Sequence, residues 1–284
     1  MTPPLLELGG RGPVIHFAVA NGFPPQTYLS LLEPLFDRYR VVSLPPRALW
    51  PGAGAPPAAA GSWQSLADDL LHGLAAHGLD RLIAIGHSFG SVASLVAAER
   101  EPHRFRALAL LDPTILSPTR MEQVATQLAQ HGEVHHPLVL QTLNRRRHFA
   151  SREEALAYWR GRRLFTDWPD RSLRDYAQAM LRPAGDGQGY ELVWQREWEA
   201  WYYRSFYPGT WDNLERLDRG IPVLVVGGES SDTYLPDAAA VMRPMLPNGT
   251  HITIPGAGHL FPMSRPQETL AVLQGWLGQL SAIP

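Results

Sequence analysis

Short runs of apolar, often β-branched residues alternate along this chain with segments in which apolar residues recur every three to four positions. Continuous apolarity over four to six residues suits a strand buried on both faces, whereas a period near 3.6 suits a helix with one buried side. The runs predict strands at Val14–Val19, Arg40–Leu44, Arg81–Ile85, Ala107–Leu111, Pro222–Val226 and Thr250–Ile254. Between them, Tyr28, Leu31, Leu32 and Leu35 share one helical face, and Leu66, Leu70, Leu71 and Leu74 share another, with Ser62 placed to cap it. A helix after Gly90 carries Val92, Leu95, Val96 and Ala97, and a last one from about Pro266 carries Leu270, Leu273, Leu277 and Leu280. Pro266 fits a first turn, where its preset φ helps and its missing N–H costs nothing. Strands separated by crossover helices imply an α/β fold with a mostly parallel central sheet flanked by helices.

The alternation stops after the strand ending near Leu111 and resumes only near Ile221. The intervening hundred or so residues carry helical patterns rich in Trp and Arg, without an apolar strand-like run. They predict a helical cap, residues 114–208, inserted into a core built from residues 1–113 and 209–284. Trp159, Trp168, Trp194, Trp198, Trp201 and Trp211 lie in this cap or at its exit. The helical spacing of Trp194, Trp198 and Trp201 reads as core before substrate wall, and Arg145-Arg146-Arg147 reads as a solvated or locally paired face.

Composition narrows the function classes. At 284 residues the chain can bury a full core without staples. It has no cysteine, which rules out disulfides, thiolate zinc sites and a cysteine nucleophile. A net charge of −2 speaks against a nucleic-acid surface. No run approaches the ~20 apolar residues of a membrane span, and the first residues lack a basic stretch followed by an apolar run, so a cytoplasmic protein is expected. The 26 prolines and 25 glycines are spread through turns without a period, which excludes repeat and disordered readings.

Gly86-His87-Ser88-Phe89-Gly90 follows the apolar run Leu82-Ile83-Ala84-Ile85 and precedes a helical pattern. In a strand–turn–helix context this spacing presents a serine hydroxyl on a strained turn, and small residues two positions to either side let strand and helix close around it. The turn also sets the backbone N–H of Phe89 at a helix N-terminus, where it can stabilise an oxyanion. Ser88 is thus the candidate nucleophile, and His87 reads as a packing residue beneath it.

With these residues in place, the chain resembles the α/β-hydrolase superfamily over nearly its whole length, in the order serine, acid, histidine. Asn21-Gly22-Phe23-Pro24 is similar to the His-Gly-x-Pro oxyanion turn of capped members, with Asn21 in place of the usual His. The resemblance implies that the Phe23 N–H is the second oxyanion donor. Gly256-Ala257-Gly258-His259, between the last strand and the last helix, matches the position of the catalytic base. Among eleven histidines His259 is therefore singled out, while His16, His251 and the pair His135-His136 have plainer structural readings. Gly228-Glu229-Ser230-Ser231-Asp232 resembles the loop that supplies the acid, although it is one residue longer than the commonest form. Asp232 is favoured there. Asp112, in Leu111-Asp112-Pro113, is the alternative acid, and Glu229 and Asp237 are outsiders. Within the cap, the segments Arg145 to Phe149, Ser151 to Ala155 and Trp194 to Trp198 resemble lipase- and esterase-like members with helical lids.

The resemblance implies a serine hydrolase acting on a carboxylic ester or related acyl bond of a small molecule with an apolar moiety. Neither a metal nor an organic cofactor is called for. The same triad serves thioesters, lactones, amides, carbon–carbon bonds and perhydrolysis, and a receptor-like member that binds without turnover is the different-class alternative. A homodimer stays open.

Overall fold

The computed structural model describes residues 2–185 and 187–281. Its main sheet is built from β1 (Leu6–Gly9), β2 (Val14–Ala18), β3 (Arg40–Ser43), β4 (Leu82–His87), β5 (Phe105–Leu111), β9 (Val223–Gly228) and β10 (Thr250–Ile254), while three short strands between β5 and β9 stand apart. The seven strands lie in the order β1-β3-β2-β4-β5-β9-β10. All neighbours are parallel except β1, which runs antiparallel to β3. The six strands expected from the apolar runs are present. β1 escaped the pattern because Leu-Glu-Leu-Gly is short and half-exposed, and it is held by its ladder and by the ion pair from Glu7 to Arg40. At the other edge β10 is only partly buried, as an outer strand is, rather than covered on both faces.

β4 and β9 extend two residues beyond their apolar runs, through Gly86-His87 and Gly227-Gly228. These extensions carry the chain to the carboxyl edge of the sheet, where sites gather in α/β folds. The centre of the sheet is dry: every residue of β4 is buried, as is each residue of β5 except Arg106. The helix Phe89–Arg100 lies against it and buries every residue from Phe89 to Ala98. That fit depends on absent side chains. A Cβ on Gly90 would stand 2.5 Å from the carbonyl oxygens of Ala18 and Val19, and one on Gly86 would stand 2.6 Å from Ser91 N and Gly90 O.

The segment between β5 and β9 contains the helices Pro118–His131, Leu138–Leu143, Arg152–Arg160, Asp170–Met180 and Arg196–Arg204, in keeping with the helical pattern. It also holds a small antiparallel sheet of β6 (His148–Phe149), β7 (Leu181–Pro183) and β8 (Tyr190–Leu192), in the order β6-β8-β7. Strands of two or three residues leave no alternation to read. The tryptophans expected as core are core: Trp194, Trp198 and Trp201 are buried. Trp198 and Trp201 donate their ring N–H to the carbonyls of Gly54 and Ala59 at 2.9 and 2.8 Å, and Trp63 donates to Tyr202 O at 3.0 Å. A seam of aromatic area, with the ring N–H groups of Trp63, Trp198 and Trp201 bonded, thus pins the insert to the loop before the helix Gln64–Ala76. Among the described residues, no helix is long and apolar enough to cross a membrane.

Replacing Gly90 by Ala should force helix and strand apart, costing about 1–3 kcal/mol and lowering the thermal midpoint by roughly 3–10 °C. Gly275→Ala, on the exposed side of the last helix where an added methyl meets nothing within 4 Å, should be neutral or stabilising by up to about 1 kcal/mol. Equal thermal midpoints for the two variants would contradict the close-approach account of Gly90.

Candidate active site

Ser88 stands between β4 and the following helix with φ 58° and ψ −124°, a conformation that costs a non-glycine residue about 1–3 kcal/mol. The strain is held by the surroundings: Ser88 N donates to Leu111 O at 3.0 Å, Ser91 N donates to Ser88 O at 3.0 Å, and the Ser91 hydroxyl donates to Gly86 O at 2.6 Å. Its own hydroxyl lies 3.0 Å from His259 Nε2 and 2.9 Å from Thr114 Oγ1.

His259 reaches the serine from the turn after β10, and its other ring nitrogen, Nδ1, lies 2.6 Å from Asp112 Oδ2. Here the geometry departs from the sequence expectation. Asp232, the favoured acid, is exposed, and its carboxylate accepts a long bond from the hydroxyl of its neighbour Thr233, at 3.3 Å. Asp112, the alternative, is fully buried and holds the histidine. The reason is register. His87 of β4 pairs with Leu111 of β5, so Ser88 and Asp112 leave adjacent strands at the same level, both with positive φ. Asp232 lies four residues beyond the end of β9 and turns outward.

The loop after β9 nonetheless serves Asp112. Gly228 N donates to Oδ1 at 2.9 Å, and the Ser231 hydroxyl donates to Oδ2. Ser231 Oγ in turn accepts from the backbone N–H groups of Thr233 and Tyr234, each at 3.1 Å. With His259, three donors meet one buried carboxylate, which is what such burial requires. Glu229 instead accepts from Gly256 N at 2.7 Å and braces the histidine turn, and Asp237 faces Arg120.

The network fixes the protons. Nδ1 of His259 faces a carboxylate and carries the hydrogen, so Nε2 accepts the Ser88 hydroxyl proton, and the Thr114 hydroxyl then donates to Ser88 Oγ. Thr114 went unnoticed in the sequence. Its only signal is its place two residues after Asp112 at the end of β5.

His87 is buried as expected, but it does more than pack. Its Nε2 faces only the carbonyl of His259, at 3.0 Å, so Nε2 carries the proton and Nδ1 accepts from the Tyr28 hydroxyl at 2.8 Å. Tyr28 Oη accepts from Ala20 N at 3.1 Å. One chain of hydrogen bonds therefore joins the turn after β2 to the backbone of His259. Burial, helped by the neighbouring His259, pushes the His87 pKa well below that of free histidine. Burial also pushes His16 in β2 down to about 3, and its Nε2 accepts from Leu44 N at 3.1 Å.

The turn Asn21-Gly22-Phe23 has Gly22 at φ +85°, and Phe23 N closes it with a long bond to Ala20 O at 3.3 Å. Phe89 is the first residue of its helix, so its N–H has no intrahelical acceptor. Aromatic rings line this edge, with Phe23 at 6.0 Å from Trp168 and 5.8 Å from Tyr176. The basic run of the insert divides. Arg146 pairs with Glu154 on the surface and Arg147 is exposed, as expected of a solvated face. Arg145 instead turns inward and meets the buried Glu199 at 2.6 Å.

Residues 21–266 match the family model described as alpha/beta hydrolase fold. Solved structures share the architecture. E-2-(acetamidomethylene)succinate hydrolase is 22% identical, with 96% of this chain and 94% of that chain covered and a TM-score of 0.74. The peroxisomal alpha-beta-hydrolase Lpx1 of Saccharomyces cerevisiae is 16% identical over 97% and 79%, with a TM-score of 0.74. A thermophilic esterase from Thermogutta terrifontis is 21% identical over 98% and 93%, with a TM-score of 0.63. At these identities the likeness is one of fold.

His16 and His87 stay neutral in the fold but take up protons near pH 6.5 when the chain unfolds. Below that pH the unfolded state binds more protons, so stability falls with acidity at up to about 1.4 kcal/mol per pH unit for each ring. Urea unfolding at pH 7.5 and 5 should therefore differ by about 4 kcal/mol from these two groups, and His16→Gln should roughly halve the difference. An unchanged difference in the variant would mean that His16 is protonated in the fold.

Proposed function

The chain belongs to the alpha/beta hydrolase fold family, and from that premise we propose that it is a serine hydrolase cleaving a carboxylic ester or related acyl bond of a small molecule. The observation that carries the reading is the unbroken line Asp112–His259–Ser88, with contacts of 2.6 and 3.0 Å. A carboxylate, an imidazole and a hydroxyl on a strained turn at hydrogen-bond distance are the parts of nucleophilic acyl transfer.

In the first half-reaction Ser88 Oγ attacks the substrate carbonyl while its proton passes to His259 Nε2. Asp112 stabilises the resulting imidazolium and keeps its ring oriented. The oxyanion is stabilised by the N–H of Phe89 and by that of Phe23, which exchanges its long turn bond for a stronger, charge-assisted one. His259 then gives its proton to the leaving group as the tetrahedral intermediate collapses to an acyl-Ser88. In the second half a water gives its proton to His259 and attacks the ester, and His259 returns the proton to Ser88 as the acid departs. Thr114 keeps the Ser88 hydroxyl in the rotamer that points at His259. The aromatic wall of Phe23, Trp168 and Tyr176 favours a substrate with an apolar part beside the reacting carbonyl.

A fluorophosphonate probe should label the wild type and not Ser88→Ala. On 4-nitrophenyl esters, Asp112→Asn should lose about 10³–10⁴-fold in kcat, while Asp232→Asn should stay close to wild type. The reverse ranking would restore Asp232 as the acid, and an unlabelled, folded wild type would remove the hydrolase reading. Thr114→Val should lower kcat by about 2–10-fold, the worth of one hydrogen bond, and Thr114→Ser should recover it.

A further inference from the structure

The insert holds a polar cluster that the proposed acyl-transfer steps do not use. Arg145 and Glu199 form an ion pair whose side chains are only 20% and 9% exposed. A buried pair of this kind is costly to build and is weak support for stability, so its presence calls for another account. Its position suggests one. The Glu199 carboxylate lies 2.9 Å from where a Cβ on Gly22 would stand, next to Phe23 in the chain, and Asn21 Nδ2 donates to the Glu199 backbone carbonyl at 3.0 Å. The pair therefore rests on the same turn that carries a proposed oxyanion donor.

The cluster is also incompletely bonded. Nε of Arg145 and Oδ1 of Asn21 are buried without a hydrogen-bond partner, whereas Nη2 of Arg145 and Oε2 of Glu199 are paired with each other. Glu199 Oε1 accepts only a long bond from the Thr142 hydroxyl, at 3.3 Å. Tyr176, whose ring packs on Phe23, and Tyr203 are close enough to feel both charges. Native interiors leave few polar atoms unpaired, and a group of them beside a reactive turn is a place for a ligand.

The chemistry of that ligand is set by the unpartnered atoms, a donor on Arg145 and an acceptor on Asn21, beside an ion pair of zero net charge. A carboxylate would find Arg145 but meet Glu199, an ammonium would do the reverse, and a hydrocarbon would bury the unpaired atoms more deeply. We propose that Arg145, Glu199 and Asn21 form a subsite for an uncharged group that both donates and accepts hydrogen bonds, a carboxamide in the first instance, carried by the acyl substrate. This rests on the reading of Ser88 as the nucleophile of an acyl hydrolase. It adds a polar anchor beside the rings of Phe23 and Tyr176, and such anchors set selectivity because an analogue lacking the group leaves them unpaired.

The test uses 4-nitrophenyl esters of matched length whose acyl chains end in methyl, carboxamide or carboxylate. Their affinity for full-length Ser88→Ala protein is measured by calorimetry, and kcat/KM is measured on the wild type. The carboxamide ester should bind at least about tenfold more tightly than the methyl-ended one, with kcat/KM in the same order. Arg145→Lys keeps the charge but removes the Nε donor, and Arg145→Met with Glu199→Met removes the pair without stranding a charge. Both should bring the preference close to one, with circular dichroism confirming the fold. Equal affinity for the three esters, a preference for carboxylate, or a preference that survives these changes would each overturn the proposal. A wild type inert toward every ester, with the binding preference intact in Ser88→Ala, would overturn the hydrolase reading and leave the subsite standing.

Discussion

The alignment of β4 with β5 holds the whole site in place. Pairing of His87 with Leu111 brings the two strands to the carboxyl edge of the sheet at one level, and the next residue of each, Ser88 and Asp112, turns into a positive-φ conformation. The Ser88 N–H bonds to Leu111 O, so the strained turn is tied to the strand that leads to Asp112. Only His259 must then be delivered from a distance, and the turn after β10 places it between the two. Parallel pairing is well suited to this, since it brings several strand ends to one edge while the hydrophobic centre below keeps them from shifting.

Around that alignment the structure spends its polar groups on holding backbone. Gly228 and Ser231 saturate the Asp112 carboxylate, Glu229 ties the β9 loop to the histidine turn, and the line from Ala20 through Tyr28 and His87 reaches the carbonyl of His259. Two histidines kept neutral by burial are part of this arrangement. A neutral ring offers one donor and one acceptor, and that is what His87 needs to join a hydroxyl to a carbonyl. Such hydrogen bonds hold the backbone around Ser88, Asp112 and His259 in one arrangement.

The insert contributes differently. Its aromatic seam makes one continuous hydrophobic cluster with the sheet, so the insert packs as part of the core. Within that packing, the Arg145–Glu199 pair stands out as a charged element placed where apolar packing would have been simpler. Its contact with the Gly22 turn connects the insert directly to the edge at which Ser88 stands.

The features legible in the sequence were local ones. Apolar runs and helical periods are written in consecutive residues, so six of the seven main strands and the flanking helices could be read directly. Ser88 and His259 were legible for the same reason, since each lies in a short signature between a strand and a helix. Elements without that local redundancy were not legible: β1 and β6 to β8 are too short to show alternation, and Thr114 has no pattern of its own. The acid, by contrast, depends on contacts between distant segments. Asp232 and Asp112 both follow apolar strands, and only the register of β4 against β5 and the outward turn of the β9 loop separate a carboxylate that meets His259 from one that meets solvent. Arg145 was decided in the same way, because a run of three arginines looks uniform in sequence, and only packing selects which one loses its water and gains a buried partner.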